Sequence, residues 1–446
     1  MIPTRDEGVR LSCLLCRPIG LPEGKKLPCL ITLHYAGDHP DPSATQQPLA
    51  RHGFAVADVV FRGCHRSEGM ADGGIYVTLA NDGFDVCEWL AAQPWCTGQV
   101  GSFGGSQAGF AQNLLASTAP PSLVCQYQQD TGMSLFHEAY RHGGGGQRGP
   151  AAFGGVPSVH RGLNNKDGET MSEWAEHLFY DEYWAQQDAT PHIAKNNTPC
   201  CTIGSWHDFM CQGSIATFVG KQHLGAAGSR GQQILIAGPW THGGGGRIDA
   251  NSSGDNSAVT VGELDFPQQA AFPFEGGMRA HMAQYFRQQM GMMSAAESVQ
   301  MATAIAPATV QYYVMGAVGE SGAPGNEWRT ATDFPVPATP TKYYLVAGGG
   351  LSLTCPAAGP GSKTEIVADP AHRADNGTGS VGFPGARDAR VFEAQQPYVS
   401  TFTSELLEEP VEWTGAVHAA MKMQLGEATD CDCIVRISDV YPDGRS

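Results

Sequence analysis

The chain has 446 residues, 41% of them hydrophobic and 16% charged, and carries a formal net charge of −17. That length allows two or three domains, and the composition is that of an ordinary globular protein. The acidic balance argues against nucleic acid, whose phosphates call for clustered Lys and Arg, and no apolar run approaches the roughly 20 residues of a membrane span.

Charges at Arg5, Asp6, Glu7 and Arg10 interrupt the N-terminal segment. A signal peptide is therefore not expected there, and the sequence reads as cytoplasmic. The 13 cysteines are scattered. Cys13 and Cys16 form a C-x-x-C, but their segment reads as a strand, which would send them to opposite faces. Cys431 and Cys433 have no partner pair. Neither spacing builds a zinc site, so no metal is expected, and the cysteines read as small buried thiols of a reducing compartment.

Residues 1–126 alternate strand-like and helix-like segments. Val9–Cys16, Cys29–Leu33, Phe54–Val59, Gln99–Phe103 and Leu123–Gln126 read as strands. Asp82–Gln93 is amphipathic and is stopped by Pro94, and Gln107–Ser117 reads as a helix. This rhythm predicts a mostly parallel sheet covered on both faces. Residues 130–195 interrupt it with the Gly-rich RHGGGGQRG and the aromatic stretch Glu173–Trp184, read as helical. An irregular insertion in an α/β domain is often a lid, and this one is read as a helical cap. Short strands return at Cys200–Ile203 and Ile234–Ala237, followed by a helix at Met278–Gln289. From about Val310 the texture becomes all-β: QYYVM, KYYLVAG, YVSTFTS and DCIVRISDVY, divided by Pro- and Gly-rich turns. The domains are thus expected at 1–129 with 196–305 (α/β core), 130–195 (cap) and 306–446 (β-sandwich).

One segment carries nucleophile chemistry. Val100-Gly-Ser-Phe-Gly-Gly-Ser106-Gln-Ala-Gly109 runs from a strand into a helix, and a serine on such a turn holds its Oγ clear of the backbone. Gly104 and Gly109 leave room where strand and helix pass closely. The Gln107 N–H at the helix start is placed to donate to a developing oxyanion. The spacing is G-x-S-x-x-G, and Ser102 is a competing serine one turn earlier.

A serine nucleophile needs a base, and the base needs an acid to hold its tautomer. Two positions fit the order Ser, acid, His just past strand ends. Asp208 follows Cys200–Ile203, and His242 follows Ile234–Ala237. His207 precedes the acid and reads as a spectator or pocket residue. His34, His65, His137, His142 and His160 lack that context.

These segments resemble the CocE/NonD family of hydrolases, which includes esterases, acylases and X-prolyl dipeptidyl peptidases. The resemblance runs through Asp58–Gly69, Ala92–Ser106, Trp206-His-Asp208-Phe, Gly238-Pro-Trp-Thr-His242-Gly and Asp439–Arg445. It implies an α/β-hydrolase core with an inserted helical cap, then a jelly-roll-like sandwich that here lacks its last strands. It implies a triad of Ser106, Asp208 and His242. It also implies an oxyanion hole of the Gln107 N–H and the Tyr35 hydroxyl, with no cofactor. The expected substrate is a small ester or amide, or a short peptide. The family usually has Tyr where this chain has Gln107. Phe209-Met-Cys-Gln212 follow the triad acid in place of the acids that bind an amine in amino-ester hydrolases. A dipeptidyl peptidase remains an alternative, with Glu173, Asp181 or Glu182 available for a substrate amine. A non-catalytic binding scaffold is another.

Overall fold

The computed structural model describes residues 1–35, 37, 41–43, 45–70, 74–140, 176–244, 259–301, 306, 309–357, 359, 363–369, 371–372, 385–431 and 433–446. In chain order its first elements are β1 (Ile2–Pro3), β2 (Arg10–Leu11), β3 (Cys13–Cys16), β4 (Leu27–His34), α1 (Gln46–Arg51), β5 (Ala55–Val60), α2 (Leu79–Ala91), β6 (Cys96–Gly105), α3 (Gln107–Ser117) and β7 (Leu123–Gln129). There follow α4 (Glu182–Ala185), β8 (Cys200–Ser205), α5 (Cys211–Leu224), β9 (Ile234–Gly238), β10 (Thr260–Val261), β11 (Leu264–Asp265) and α6 (Gly277–Gln289). The last are β12 (Thr309–Val314), β13 (Glu327–Ala331), β14 (Tyr344–Val346), β15 (Gly350–Ser352) and β16 (Thr403–Ser404).

A nine-stranded sheet has the order β13-β12-β9-β8-β7-β6-β4-β5-β3. The strands from β5 to β12 in that order pair in parallel, and the edges β3 and β13 are antiparallel. Helices cover both faces, so the inner strands are buried and mostly apolar: every residue of β4 and β5 is buried. Ile31, Ala57 and Val59 pack with Val86 and Leu90 of α2 and Phe110 and Leu114 of α3. Leu30, Val56, Tyr127 and Ile203 pack on the other face with Leu49 of α1 and Met282 and Phe286 of α6. Cys13 joins the first of these clusters and Cys16 the second, as a strand's alternation requires.

The chain leaves β4 for β5 on one side and returns to β6 on the other. The C-terminal ends of β4 and β6 therefore flank the reversal of strand order, where open α/β sheets form a crevice. Tyr35 ends one strand and Ser106 the other. The two strands pair in parallel up to Ile31↔Ser102, so their C-terminal ends point the same way.

Three expectations change. From the sequence, QYYVM is expected to open the second domain, but Thr309–Val314 runs parallel to β9 inside the core sheet, and β13 closes that edge. The reason is burial: Val310 and Tyr312 pack with Leu235 and Phe218, so this strand has two partners in the core. The described part of the aromatic stretch is not one helix. Asp181 breaks it by accepting N–H bonds from Tyr183 and Trp184, which starts α4 afresh. RHGGGGQRG, Glu173, His142 and His160 lie outside the described residues.

The third concerns the C-terminal region. Here β14, β15 and β16 form a three-stranded sheet, while the described residues of DCIVRISDVY are not in a strand. Ile434 and Val435 are exposed there, and a strand needs a neighbour to pair with. No helix of the described residues is long and apolar enough to cross a membrane.

Candidate active site

Ser106 occupies the turn from β6 into α3 with φ 55° and ψ −123°. A non-glycine residue pays about 1–3 kcal/mol for such backbone, and it persists only where surrounding bonds hold it. Here the Ser106 N–H donates to Gln129 O at 2.9 Å, and the Ser106 carbonyl accepts from Thr131 Oγ1 at 3.0 Å. A Cβ on Gly104 would come within 2.6 Å of Ala108 Cβ, and one on Gly109 within 2.4 Å of Thr131. Both glycines thus permit the tight turn. The Gln107 N–H falls in the first turn of α3, where no intrahelical carbonyl serves it. Ser102 is excluded as a rival: it is 1% exposed, and its Oγ donates to Gln112 Oε1 at 2.9 Å.

Asp208 and His242 stand just past the ends of neighbouring parallel strands, β8 and β9. Backbone bonds join their loops: Trp206 N–H to Gly238 O at 2.8 Å, and His207 N–H to Trp240 O at 2.9 Å. The His242 loop is pinned by Trp240, whose indole is buried, donates to Ala270 O at 3.0 Å and stacks on Phe272. Glycine is required at 238 because a Cβ would enter that indole, at 2.5 Å. With both loops held, His242 Nδ1–H donates to Asp208 Oδ1 at 2.9 Å. Phe209 stacks on the imidazole at 4.8 Å between centroids. A ring whose Nδ1 carries the proton leaves Nε2 as a base.

Gln129 ties the serine to this pair. Its carbonyl accepts from Ser106, and its Nε2 donates to Gly244 O at 2.9 Å, two residues beyond His242. Tyr35 packs edge-on against Phe61, and its carbonyl accepts from His65 Nε2 at 3.0 Å.

Other sequence candidates are placed elsewhere. His207 is largely buried, and burial lowers its pKa and favours the neutral ring. His34 at the end of β4 contacts the buried Asp58, which also accepts from Gln46 Nε2 at 2.7 Å. His137 stacks on Tyr180. Asp181 is occupied by His177 and by the start of α4.

Sequence reasoning missed Asp130. It is 1% exposed, follows β7 directly and accepts the Gly243 N–H at 2.7 Å. Asp130, Asp208 and His242 bring ligand-type atoms within 4.8 Å of one another. His242 Nδ1 is engaged by Asp208 and Asp130 Oδ2 by Gly243, so the set reads as a hydrogen-bonded cluster. The missed signal was an acid one residue past a strand. Gln126, Gln128 and Gln129 made that strand look finished early, yet all three are buried in it.

The family model for X-Pro dipeptidyl-peptidase (S15 family) matches residues 7–159 and 157–244. That for the X-Pro dipeptidyl-peptidase C-terminal non-catalytic domain matches 304–446, which begins before β12, so the family boundary and the sheet boundary differ. Cocaine esterase from Rhodococcus sp. (strain MB1 Bresler) is 26% identical over 502 residues, covering 100% of this chain and 80% of that protein. A putative serine esterase of Mycobacterium bovis is 23% identical, covering 99% and 78%. Among solved structures, an α-amino acid ester hydrolase superposes with a TM-score of 0.64 at 21% identity, covering 92% of this chain and 72% of that one. A CocE/NonD family hydrolase from Staphylococcus aureus gives 0.58 at 19%, covering 79% of this chain. The chain spans 59% of the length of that last structure. These likenesses establish the α/β-hydrolase fold.

Proposed function

We propose that this chain, which belongs to the X-Pro dipeptidyl-peptidase (S15) family of hydrolases, cleaves an ester or amide bond through an acyl-enzyme on Ser106. The observation that carries the reading is the buried Asp208–His242 hydrogen bond, held by the loops of two adjacent strands. Ser106 Oγ attacks the substrate carbonyl while His242 Nε2 takes its proton. Asp208 holds the tautomer and balances the imidazolium that forms. The imidazolium then protonates the leaving alcohol or amine. Water, deprotonated by the same ring, releases the acid and restores Ser106. The Gln107 N–H and the Tyr35 hydroxyl stabilise the oxyanion, each contributing about 10²–10³ in rate when well aimed. Tyr35 directly follows β4, which neighbours the serine's strand β6, and this placement supports it in that role.

An esterase or acylase of small substrates is the favoured class. Phe209 and Met210, both buried in the apolar core, directly follow the acid and offer no carboxylate to a substrate amine. A dipeptidyl peptidase is the second reading, favoured by the two family models. The test is a fluorophosphonate probe with p-nitrophenyl acetate and Ala-Pro-nitroanilide assayed side by side. Labelling of Ser106 and faster acetate hydrolysis are expected. Labelling of a different serine would overturn the assignment, and preference for the Ala-Pro substrate would select the peptidase.

A further inference from the structure

Asp130 is held in left-handed backbone, φ 46°, which is uncommon for a residue with a side chain. Its N–H donates to Ile203 O at 2.9 Å, which locks it to the end of β8. Its Oδ2 accepts from Gly243, and Gln129 donates to Gly244. The end of β7 therefore holds the peptides just after His242 through two hydrogen bonds. The carboxylate also lies within 4.8 Å of the Asp208 and His242 ligand atoms. Asp208 Oδ1 is taken by His242, while its buried Oδ2 accepts no hydrogen bond from a described residue.

Two buried carboxylates this close repel, and a cation beside them relieves that repulsion. The imidazolium of the catalytic step is such a cation. We infer that Asp130 is a second positioning acid for His242, clamping its loop through Gly243 and adding negative charge that stabilises the imidazolium alongside Asp208. The inference rests on the Ser106–Asp208–His242 reading. Two further titratable groups belong to this corner. The Cys211 thiol, at the start of α5, is pushed up to about 12 by burial and then by Asp208 and Asp130, and so stays neutral. His207 is biased to the neutral ring.

Asn tolerates left-handed backbone, and its amide oxygen can still accept the Gly243 N–H. Asp130→Asn thus removes the charge and keeps the clamp, whereas Asp130→Ala removes both. For Asp130→Asn, kcat/KM should fall about tenfold. The acid limb of its pH profile should move down by about one unit, because an imidazolium with one carboxylate fewer gives up its proton more readily. Asp208→Asn leaves the ring with the Asp130 charge, and both charges act on one cation, so the double variant should lose activity well beyond Asp208→Asn alone, by about the tenfold of Asp130→Asn.

An unmoved acid limb, as a proton shared between the two carboxyls would give, overturns the inference. So does a double variant no slower than Asp208→Asn alone. Circular dichroism checks each variant's fold, and Asp130→Asn carries the test if Asp130→Ala does not fold. Failure of the wild-type protein to label at Ser106 would defeat the underlying reading. Normal labelling with an unmoved limb defeats this inference alone.

Discussion

The Ser106 N–H donates to the carbonyl of Gln129 at 2.9 Å, and through Gln129 the serine turn shares its anchor with the loop that carries His242. The strained serine and the imidazole loop therefore rest on the same strand end. Displacing that strand end would move both.

The backbone strain at Ser106 separates stability from activity. With φ 55° and ψ −123°, the position suits glycine better than any other residue. Ser106→Gly should raise the melting temperature, with release of about 1 kcal/mol. It should abolish ester hydrolysis by about 10⁴-fold or more. Calorimetry and an ester assay on the same preparation check both effects.

Gly109 should tolerate no side chain. A Cβ there falls 2.4 Å from Thr131 Cβ and 2.5 Å from its Oγ1, and that hydroxyl donates to the Ser106 carbonyl. Gly109→Ala should cost about 1–3 kcal/mol of stability and reduce the rate of fluorophosphonate labelling. Unchanged urea unfolding would show that the turn relaxes freely.

Trp240 is expected to act on the base through its loop. Trp240→Phe keeps the stacking on Phe272 but loses the bond to Ala270 O. The expected cost is about 1–2 kcal/mol, with kcat reduced more than KM because His242 is less firmly aimed. Steady-state kinetics beside thermal unfolding distinguish this from a general loss of folded protein.

Glu138 should make stability depend on pH. Burial pushes its carboxyl up from 4.5 to about 7, against the opposing effect of the Ser134 and Met133 N–H donors. The folded state then keeps a proton that the unfolded chain releases near 4.5. Its contribution is full below that pH and is lost as pH rises through about 7, by at most about 3 kcal/mol. Glu138→Gln should flatten this decline, as read from urea midpoints at pH 5 and pH 8.

The alternation of apolar runs with amphipathic segments was enough to define the parallel sheet, and the pattern around Ser106 was enough to place it on a strand–turn–helix junction. That Asp208 and His242 would meet was legible because each stands just past a short apolar strand, and the structure brings them into hydrogen-bond contact. These are local signals, carried by a few neighbouring residues. The place of Thr309–Val314 was not local: an apolar strand reads the same in a sandwich or at the edge of a parallel sheet, and only its pairing with Ile234–Gly238 decides. Asp130 was hidden for the same reason. Its meaning depends on Gly243, 113 residues away in the chain, and on a strand whose buried glutamines make it look as if it ends at Gln126. Such long-range polar contacts leave no periodicity in the sequence, because they are made by side chains that tertiary packing alone brings together.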